Sequence, residues 1–296
     1  MTTEKILFDR VALIGAGLIG SSLGRAIRQE QLAKSVAAYS RRSDTRERLS
    51  HLGIVDNVAK SIKEAVDDAD LIIISVPVGA SEDVAKKLGP HIKPGAIVTD
   101  TGSVKEAVIR AVVPHLPNSA NFVPGHPIAG TENSGPEAGF ASLFEGRWCV
   151  ITPTNDTNQS AIDKVTNLWQ RMGSKVDIMS AAHHDKVLAI TSHIPHLIAF
   201  NIVGTVADLE DDTKMEAVKY AAGGFRDFTR IAASDPEMWR DVFMENREAV
   251  LEMLGRFSED LSALQRAIRR GDANSLETKF TRTRDLRRRV IDAEQA

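Results

Sequence analysis

Val11-Ala12-Leu13-Ile14 runs directly into Gly15-Ala16-Gly17-Leu18-Ile19-Gly20, and residues 21–29 continue with a helical pattern. A short apolar strand, a G-x-G-x-x-G turn and a helix, in that order, open a βαβ unit of the kind that binds a dinucleotide. Each glycine has its own reason: Gly15 allows the tight turn, Gly17 lets a pyrophosphate approach the backbone, and Gly20 lets the helix pack on the sheet. Leu18 and Ile19 complete the cofactor-binding turn that leads into the helix, whose N-terminus favours negative charge. A glycine-rich turn without a ligand is the competing reading of these residues, and the matching flanks favour the nucleotide.

The next apolar segment, residues 36–39, ends in Ser40-Arg41-Arg42. An NAD-preferring site usually carries an acidic residue here, about 20 residues after the glycines, to hold the ribose 2′-OH. A hydroxyl and two guanidinium groups suit a 2′-phosphate instead, because arginine pairs with phosphate through several donors. Ser40, Arg41 and Arg42 are therefore expected to take NADP; NAD is the alternative if both arginines are merely solvated.

Farther along, residues 69–77 form a near-continuous apolar run, as expected of a central parallel strand covered on both faces. Residues 96–100 read as another strand, followed by an amphipathic helix near residues 106–113. Residues 121–124 can end a further strand, residues 148–152 and 175–179 read as two more, and residues 161–172 lie between them as a helix. Strands alternating with helices up to residue 179 indicate an α/β, doubly wound sheet.

Beyond Ser180 no strand pattern returns. Ser180 can cap a helix that runs to about residue 209 and bends at Pro195; Gly223-Gly224 breaks the next one. Asp235-Pro236 is a helix start, and the helix carrying Leu251, Leu254, Phe257, Leu261, Leu264 and Ile268 can end at Gly271. A last helix is expected over residues 273–293. Residues 1–179 are thus read as the nucleotide domain, and residues 180–296 as an all-helical C-terminal domain. Its elongated apolar faces suggest a partner copy, as in a dimer. The arginines at positions 282–289 read as a solvated face, with an interaction surface as the alternative.

Composition narrows the function classes. The chain has 296 residues, a formal net charge of −3 and one cysteine, Cys149. That balance gives no electrostatic argument for nucleic acid or an anionic membrane, and one thiol allows no intrachain disulfide. No unbroken apolar stretch of about 20 residues appears, nor a charged-then-apolar N-terminal pattern. A cytoplasmic enzyme or binding protein is expected.

The stretch with the most chemistry is Gly125-His126-Pro127-Ile128-Ala129-Gly130-Thr131. It reads as a loop just beyond a strand's carboxyl end, where ligands bind in open α/β sheets. His126 there is either an aimed acid or base or a turn-capping histidine. Ser103 lies on the same rim, with a helix N-cap as its structural alternative. The helical half holds His183, His184, Asp185, Ser192, His193 and His196. His193 and His196 share a helix face, yet no third and fourth ligand or H-E-x-x-H pattern accompanies them, so no metal is expected. Arg226 and Arg230 follow the glycine pair; Arg230 either pairs with Asp227 or Asp235 or awaits a ligand carboxylate.

In combination these motifs resemble the prephenate and arogenate dehydrogenases of tyrosine biosynthesis, also called cyclohexadienyl dehydrogenases. The resemblance is carried by Gly15 to Gly20, Asp100-Thr101-Gly102-Ser103-Val104-Lys105, the His126 loop, His183-His184-Asp185-Lys186, Ser192-His193-Ile194-Pro195-His196 and Gly223-Gly224-Phe225-Arg226-Asp227-Phe228-Thr229-Arg230. It covers residues 8–270 in the right order. It implies a Rossmann-type sheet followed by a helical substrate-binding and dimerisation domain, and oxidative decarboxylation by hydride transfer to NAD or NADP. By resemblance His126 accepts the proton of the substrate 4-hydroxyl. Ser103 orients His126 and touches hydroxyl and nicotinamide. Arg230 holds the side-chain carboxylate, His196 and Thr131 line the pocket, and Asp185 and Glu132 support or gate the site. No chorismate mutase or regulatory domain is expected within the remaining length.

Two other readings fit parts of the chain. β-Hydroxyacid dehydrogenases join a similar pair of domains and use a catalytic lysine, for which Lys186 and Lys219 are candidates, but neither explains the His126 stretch. A module that senses NADP without turnover would have no need of the Arg230 clamp.

Overall fold

The computed structural model describes residues 6–292. Strand β1 (Phe8–Ile14) and helix α1 (Leu18–Gln29) flank the glycine turn as their sequence requires. Gly15 adopts a φ of +99°, a region that favours glycine, and a Cβ there would lie 2.1 Å from the Ser75 carbonyl oxygen. A Cβ on Gly20 would meet the Gly15 carbonyl at 2.2 Å, whereas one on Gly17 would meet nothing within 4 Å.

Strand β2 (Ala33–Tyr39), helix α2 (Ser43–Leu52), strand β3 (Asn57–Val58), helix α3 (Ile62–Val66) and strand β4 (Leu71–Ile74) follow. Helix α4 (Ser81–Leu88), strand β5 (Ile97–Asp100), helix α5 (Lys105–Val112) and strand β6 (Asn121–Val123) complete the first sheet. Its six strands are parallel, in the order β3-β2-β1-β4-β5-β6. The order reverses between β1 and β4, and the Gly15 turn lies at that switch point, where doubly wound sheets bind dinucleotides. All four residues of β4 are buried because helices cover both faces, which is why that segment reads as an unbroken apolar run.

The doubly wound expectation holds for six strands, and the remaining three form a second sheet. Strands β7 (Gly125–Pro127), β8 (Trp148–Ile151) and β9 (Lys175–Ile178) pair in that order, β7 antiparallel to β8 and β8 parallel to β9, with helix α6 (Gln159–Arg171) between the last two in sequence. The first three residues of the stretch expected as a loop are thus a short edge strand, with His126 opposite Val150, while residues 128–131 belong to no strand or helix. The strand's length of three residues leaves no alternation to detect.

Ser180 caps helix α7 (Ala181–Leu188), accepting from the His183 N–H at 3.3 Å. Where a bend is expected at Pro195, a π-helical turn (Ala189–His193) precedes helix α8 (Ile194–Ala207), whose first turn contains the proline. The missing proline N–H is thereby moved to a helix start. Residues Ala181–Ala207 form a helix long and apolar enough to span a bilayer, with a mean hydropathy of 1.5 over an 18-residue window, but its first turns carry buried His184 and Asp185. Helices α9 (Asp211–Lys219) and α10 (Gly223–Thr229) follow, so the break lies at residues 220–222 and the glycine pair opens α10. Asp235 caps helix α11 (Pro236–Glu245) by accepting from the Met238 N–H at 3.0 Å.

The contacts divide the chain into two compact units, one ending at Asn246 and the other beginning at Arg247. In the first, Trp239 and Val242 of α11 join the same apolar cluster as Ile72, Val98 and Val108, so α11 belongs to the core of the sheet face. The second is a helical hairpin of α12 (Arg247–Arg270) and α13 (Ala273–Asp292), joined at Gly271 with a φ of +65° and linked by Lys279 and Asp260 at 2.8 Å. Position 293, included in the expected last helix, lies outside the described residues.

The three glycines of the turn give a graded prediction. Gly15→Ala and Gly20→Ala should each destabilise the fold by about 2–4 kcal/mol through backbone clashes, while Gly17→Ala should change stability by less than about 0.5 kcal/mol. Denaturant midpoints of the three variants check this; equal loss at all three positions would contradict the geometry.

Candidate active site

His126 sits at the centre of a chain of buried polar groups. Gly125 anchors its strand: the Gly125 N–H donates to Asp100 Oδ1 at 3.2 Å, and its carbonyl accepts from Lys105 Nζ at 2.6 Å. Lys105 Nζ also donates to Asp100 Oδ2, and both side chains are almost wholly buried. A buried lysine in the first turn of α5 opposes that helix's dipole. The carboxylates of Asp100 and Asp185 compensate it.

Ser103 does not cap α5. The residue at the cap is Val104, and the first two N–H groups of the helix, those of Lys105 and Glu106, donate to Asp185 Oδ1 at 2.7 Å and Oδ2 at 2.9 Å. The cap comes from a residue eighty positions away in sequence. Ser103 remains half-buried in the β5–α5 turn, and its hydroxyl makes no hydrogen bond to another described residue.

Asp185 Oδ1 also bonds His184 Nδ1 at 2.7 Å, and His184 Nε2 lies 2.8 Å from His126 Nδ1. The neighbour that orients the His126 ring is therefore His184, rather than Ser103. A carboxylate only accepts, so His184 Nδ1 carries the proton and its Nε2 is bare. That bare nitrogen accepts from His126 Nδ1, which leaves His126 Nε2 with a free lone pair. Burial first, then the positive fields of His184, Lys105 and His193, hold the His126 pKa well below 6.5. Burial also lowers His184, against the opposing pull of Asp185.

A second group adjoins the first. Asn246 Nδ2 donates to the Asp185 carbonyl at 2.9 Å and to His193 Nδ1 at 3.1 Å. The His193 proton is then on Nε2, a buried donor with no partner among the described residues. Burial brings the His193 pKa down to about 4. His196 stacks on Trp239 with ring centres 3.7 Å apart and donates from Nδ1 to the Ser192 carbonyl at 2.8 Å. Arg230 is near enough to lower the His196 pKa further, although burial is the larger cause. Arg230 pairs with Glu132 at 3.0 Å, not with Asp227 or Asp235, and its side chain is 59% exposed. Thr131 Oγ1 accepts from the Asn133 N–H at 3.2 Å on an exposed turn. Among the described residues no group of three histidine, cysteine or acidic side chains is arranged to hold a metal.

At the nucleotide end the residues fit a dinucleotide. α1 begins at the glycine turn with no side-chain cap, and the backbone at Gly17 is open to close approach. At the end of β2, Arg42 pairs with Asp44 at 3.0 Å, and Arg41 is exposed. Arg46, which the motif reading passed over, donates to the carbonyls of Ser40 at 2.6 Å and Arg41 at 2.9 Å. His184 was visible in sequence only as part of a polar cluster, and Asn246 and Trp239 gave no signal: their roles depend on helices brought together by folding.

A dinucleotide fold with a neutral histidine oriented by a buried polar relay is the build of a nicotinamide-dependent dehydrogenase. The comparisons narrow the class. The profile of the prephenate dehydrogenase nucleotide-binding domain matches residues 23–178, and that of the prephenate dehydrogenase dimerization domain matches residues 180–282. The chain belongs to the prephenate dehydrogenase family. It is 42% identical to the cyclohexadienyl dehydrogenase of Zymomonas mobilis, over 95% of this chain and 96% of that one. The prephenate dehydrogenase of A. aeolicus, solved with hydroxyphenyl propionate and NAD+, superposes with a TM-score of 0.88 at 34% identity, covering 95% of this chain and 98% of that one. The arogenate dehydrogenase of Synechocystis gives a TM-score of 0.79 at 27% identity, over 95% and 99% of the two chains.

The depressed histidines predict two pH effects. A base that is neutral far below 6.5 should keep kcat/KM flat from neutral pH down through 6.5, with the acid limb below that value. The unfolded chain binds protons on these histidines below 6.5 while the native chain does not, so stability should fall as pH drops from 6.5 towards 4. An acid limb at or above 6.5 would contradict the burial argument.

Proposed function

We propose that this chain oxidatively decarboxylates prephenate, arogenate or both, with NADP or NAD as hydride acceptor, to give 4-hydroxyphenylpyruvate or tyrosine. The observation that carries the reading is the free Nε2 of a neutral His126, held 2.8 Å from His184 through its other nitrogen. His126 takes the proton of the substrate 4-hydroxyl as that carbon becomes a carbonyl. The bound nicotinamide supplies the hydride-accepting carbon. Loss of the ring carboxylate as carbon dioxide makes the ring aromatic and drives the reaction forward.

The same reading assigns the remaining roles. Ser103, at the carboxyl end of β5, touches the hydroxyl and the nicotinamide. Arg230 exchanges its Glu132 partner for the substrate's side-chain carboxylate. His196, steadied by Trp239, and Thr131 line the pocket. Residues 1–179 hold the nucleotide, on Gly15, Gly17, Leu18, Ile19 and Gly20. Residues 180–296 bind substrate and pair two copies; exposed Ile190, Ile202 and Val203 on one apolar helical stretch support a homodimer. The location is the cytoplasm. At the β2 end Ser40, Arg41 and Arg42 favour NADP, and Arg46 adds to their positive field. The Arg42–Asp44 pair favours NAD, since it withdraws a guanidinium.

The test is the rate of nicotinamide reduction with prephenate and with arogenate, each with NAD and with NADP. Turnover in any of the four supports the reaction class, and their ratios give cofactor and substrate preference. Silence in all four with an intact fold would overturn it and bring forward a lysine-based dehydrogenase. His126→Asn should lower kcat by about 10²–10⁴ with little change in KM. Arg230→Ala should raise KM far more than it lowers kcat; the reverse pattern would remove these assignments.

A further inference from the structure

The active-site histidine is not oriented by the residues around the reacting carbon. Its ring is reached from behind by a relay that starts at a helix N-terminus. Asp185 is 2% exposed and His184 is fully buried. Asp185 accepts from two backbone N–H groups of α5 and from His184 Nδ1, at 2.7–2.9 Å. The two backbone donors hold the carboxylate in place and leave it only one kind of bond to make towards His184: it accepts. Asn246 fixes the other side, its amide donating to the Asp185 carbonyl at 2.9 Å.

Resting on the dehydrogenase reading above, we infer that Asp185 and His184 are the positioning residues that set the tautomer of His126, so that His126 presents a bare Nε2 to the substrate hydroxyl. The logic runs one way along the chain. A carboxylate at position 185 forces the proton of His184 onto Nδ1. His184 Nε2 then accepts, which forces the proton of His126 onto Nδ1. When His126 takes the hydroxyl proton, both its nitrogens carry hydrogen, and the Asp185 charge stabilises the cation through His184. No atom or electron is added to the reaction by this step; one proton moves from the hydroxyl oxygen to His126 Nε2. Removing the negative charge while keeping the shape reverses the relay when the amide nitrogen takes the place of Oδ1, at the cost of the bond from the Lys105 N–H. An amide at position 185 can donate to His184 Nδ1, which turns His184 Nε2 into a donor and His126 Nε2 into an N–H. The base then has no lone pair to offer, as happens when the aspartate behind a catalytic histidine is replaced by asparagine.

The test has two arms. Imidazole ¹⁵N shifts of His126 and His184 in the wild-type protein, in the absence of substrate, should show both rings protonated on Nδ1 and bare on Nε2. This arm is independent of turnover, so it stands even if the substrate reading fails. In Asp185→Asn, kcat should fall by about 10²–10⁴ with KM and cofactor affinity within about threefold, and both rings should move their proton to Nε2. His184→Gln, whose amide oxygen can still accept from His126 Nδ1, should lose less than about tenfold. A wild-type His126 protonated on Nε2, or an Asp185→Asn enzyme within about threefold of wild-type kcat, would overturn the inference. If Asp185→Asn does not fold, the wild-type shifts decide it alone.

Discussion

The rest of the site depends on how one buried positive charge is compensated. Lys105 is fully buried at the start of α5, where the helix dipole also opposes it. An unpaired buried charge is too costly to keep, and breaking a buried pair by removing one partner typically costs about 3–5 kcal/mol. Asp100 meets the ammonium directly, and Asp185 meets the helix end. Each of these compensations also places something. Asp100 and Lys105 together hold both backbone polar groups of Gly125, and so the strand that carries His126. Asp185 binds α7 to α5 and, through His184, sets the His126 ring. Charge compensation and active-site geometry are therefore one arrangement.

The same economy appears around the π-helical turn. A proline inside a continuous α-helix would break a backbone bond and clash with the preceding turn. Here the turn is widened over Ala189–His193, and Pro195 falls in the first turn of the helix that follows. His193, which ends the widened turn, and His196 both meet the Trp239 ring, at 6.0 and 3.7 Å between ring centres. His193 turns to Asn246 in the buried network, while His196 stacks on Trp239 nearer Arg230. π-Turns of this kind are frequent at functional sites because they re-aim a few side chains at little cost to the rest of the helix.

What was legible in the sequence is what is local. The glycine turn, the buried β4, and the caps at Ser180 and Asp235 follow from neighbours within a few residues, and the structure has them as read. The alternatives that the sequence left open, and the one strand it missed, share a cause. Ser103 has the type and position of an N-cap, but Asp185 arrives from far along the chain and takes the helix end. Gly125–Pro127 is too short to alternate and is a strand only because β8 lies beside it, whereas the rest of that stretch is the expected loop. Arg230 has two acidic neighbours in sequence and pairs with neither, because Glu132 is closer in space. The residue types of the site were visible; which of them touch is decided by long-range packing.

The central claim is that Asp185 acts on the chemistry through His126 and not independently of it. A double-mutant cycle in kcat between His126→Asn and Asp185→Asn tests this most directly. If Asp185 serves only to set the base, removing it from an enzyme that already lacks the base should cost nothing further, and the double variant should match His126→Asn alone. Full additivity of the two losses would mean that Asp185 contributes by another route, and the relay would have to be abandoned.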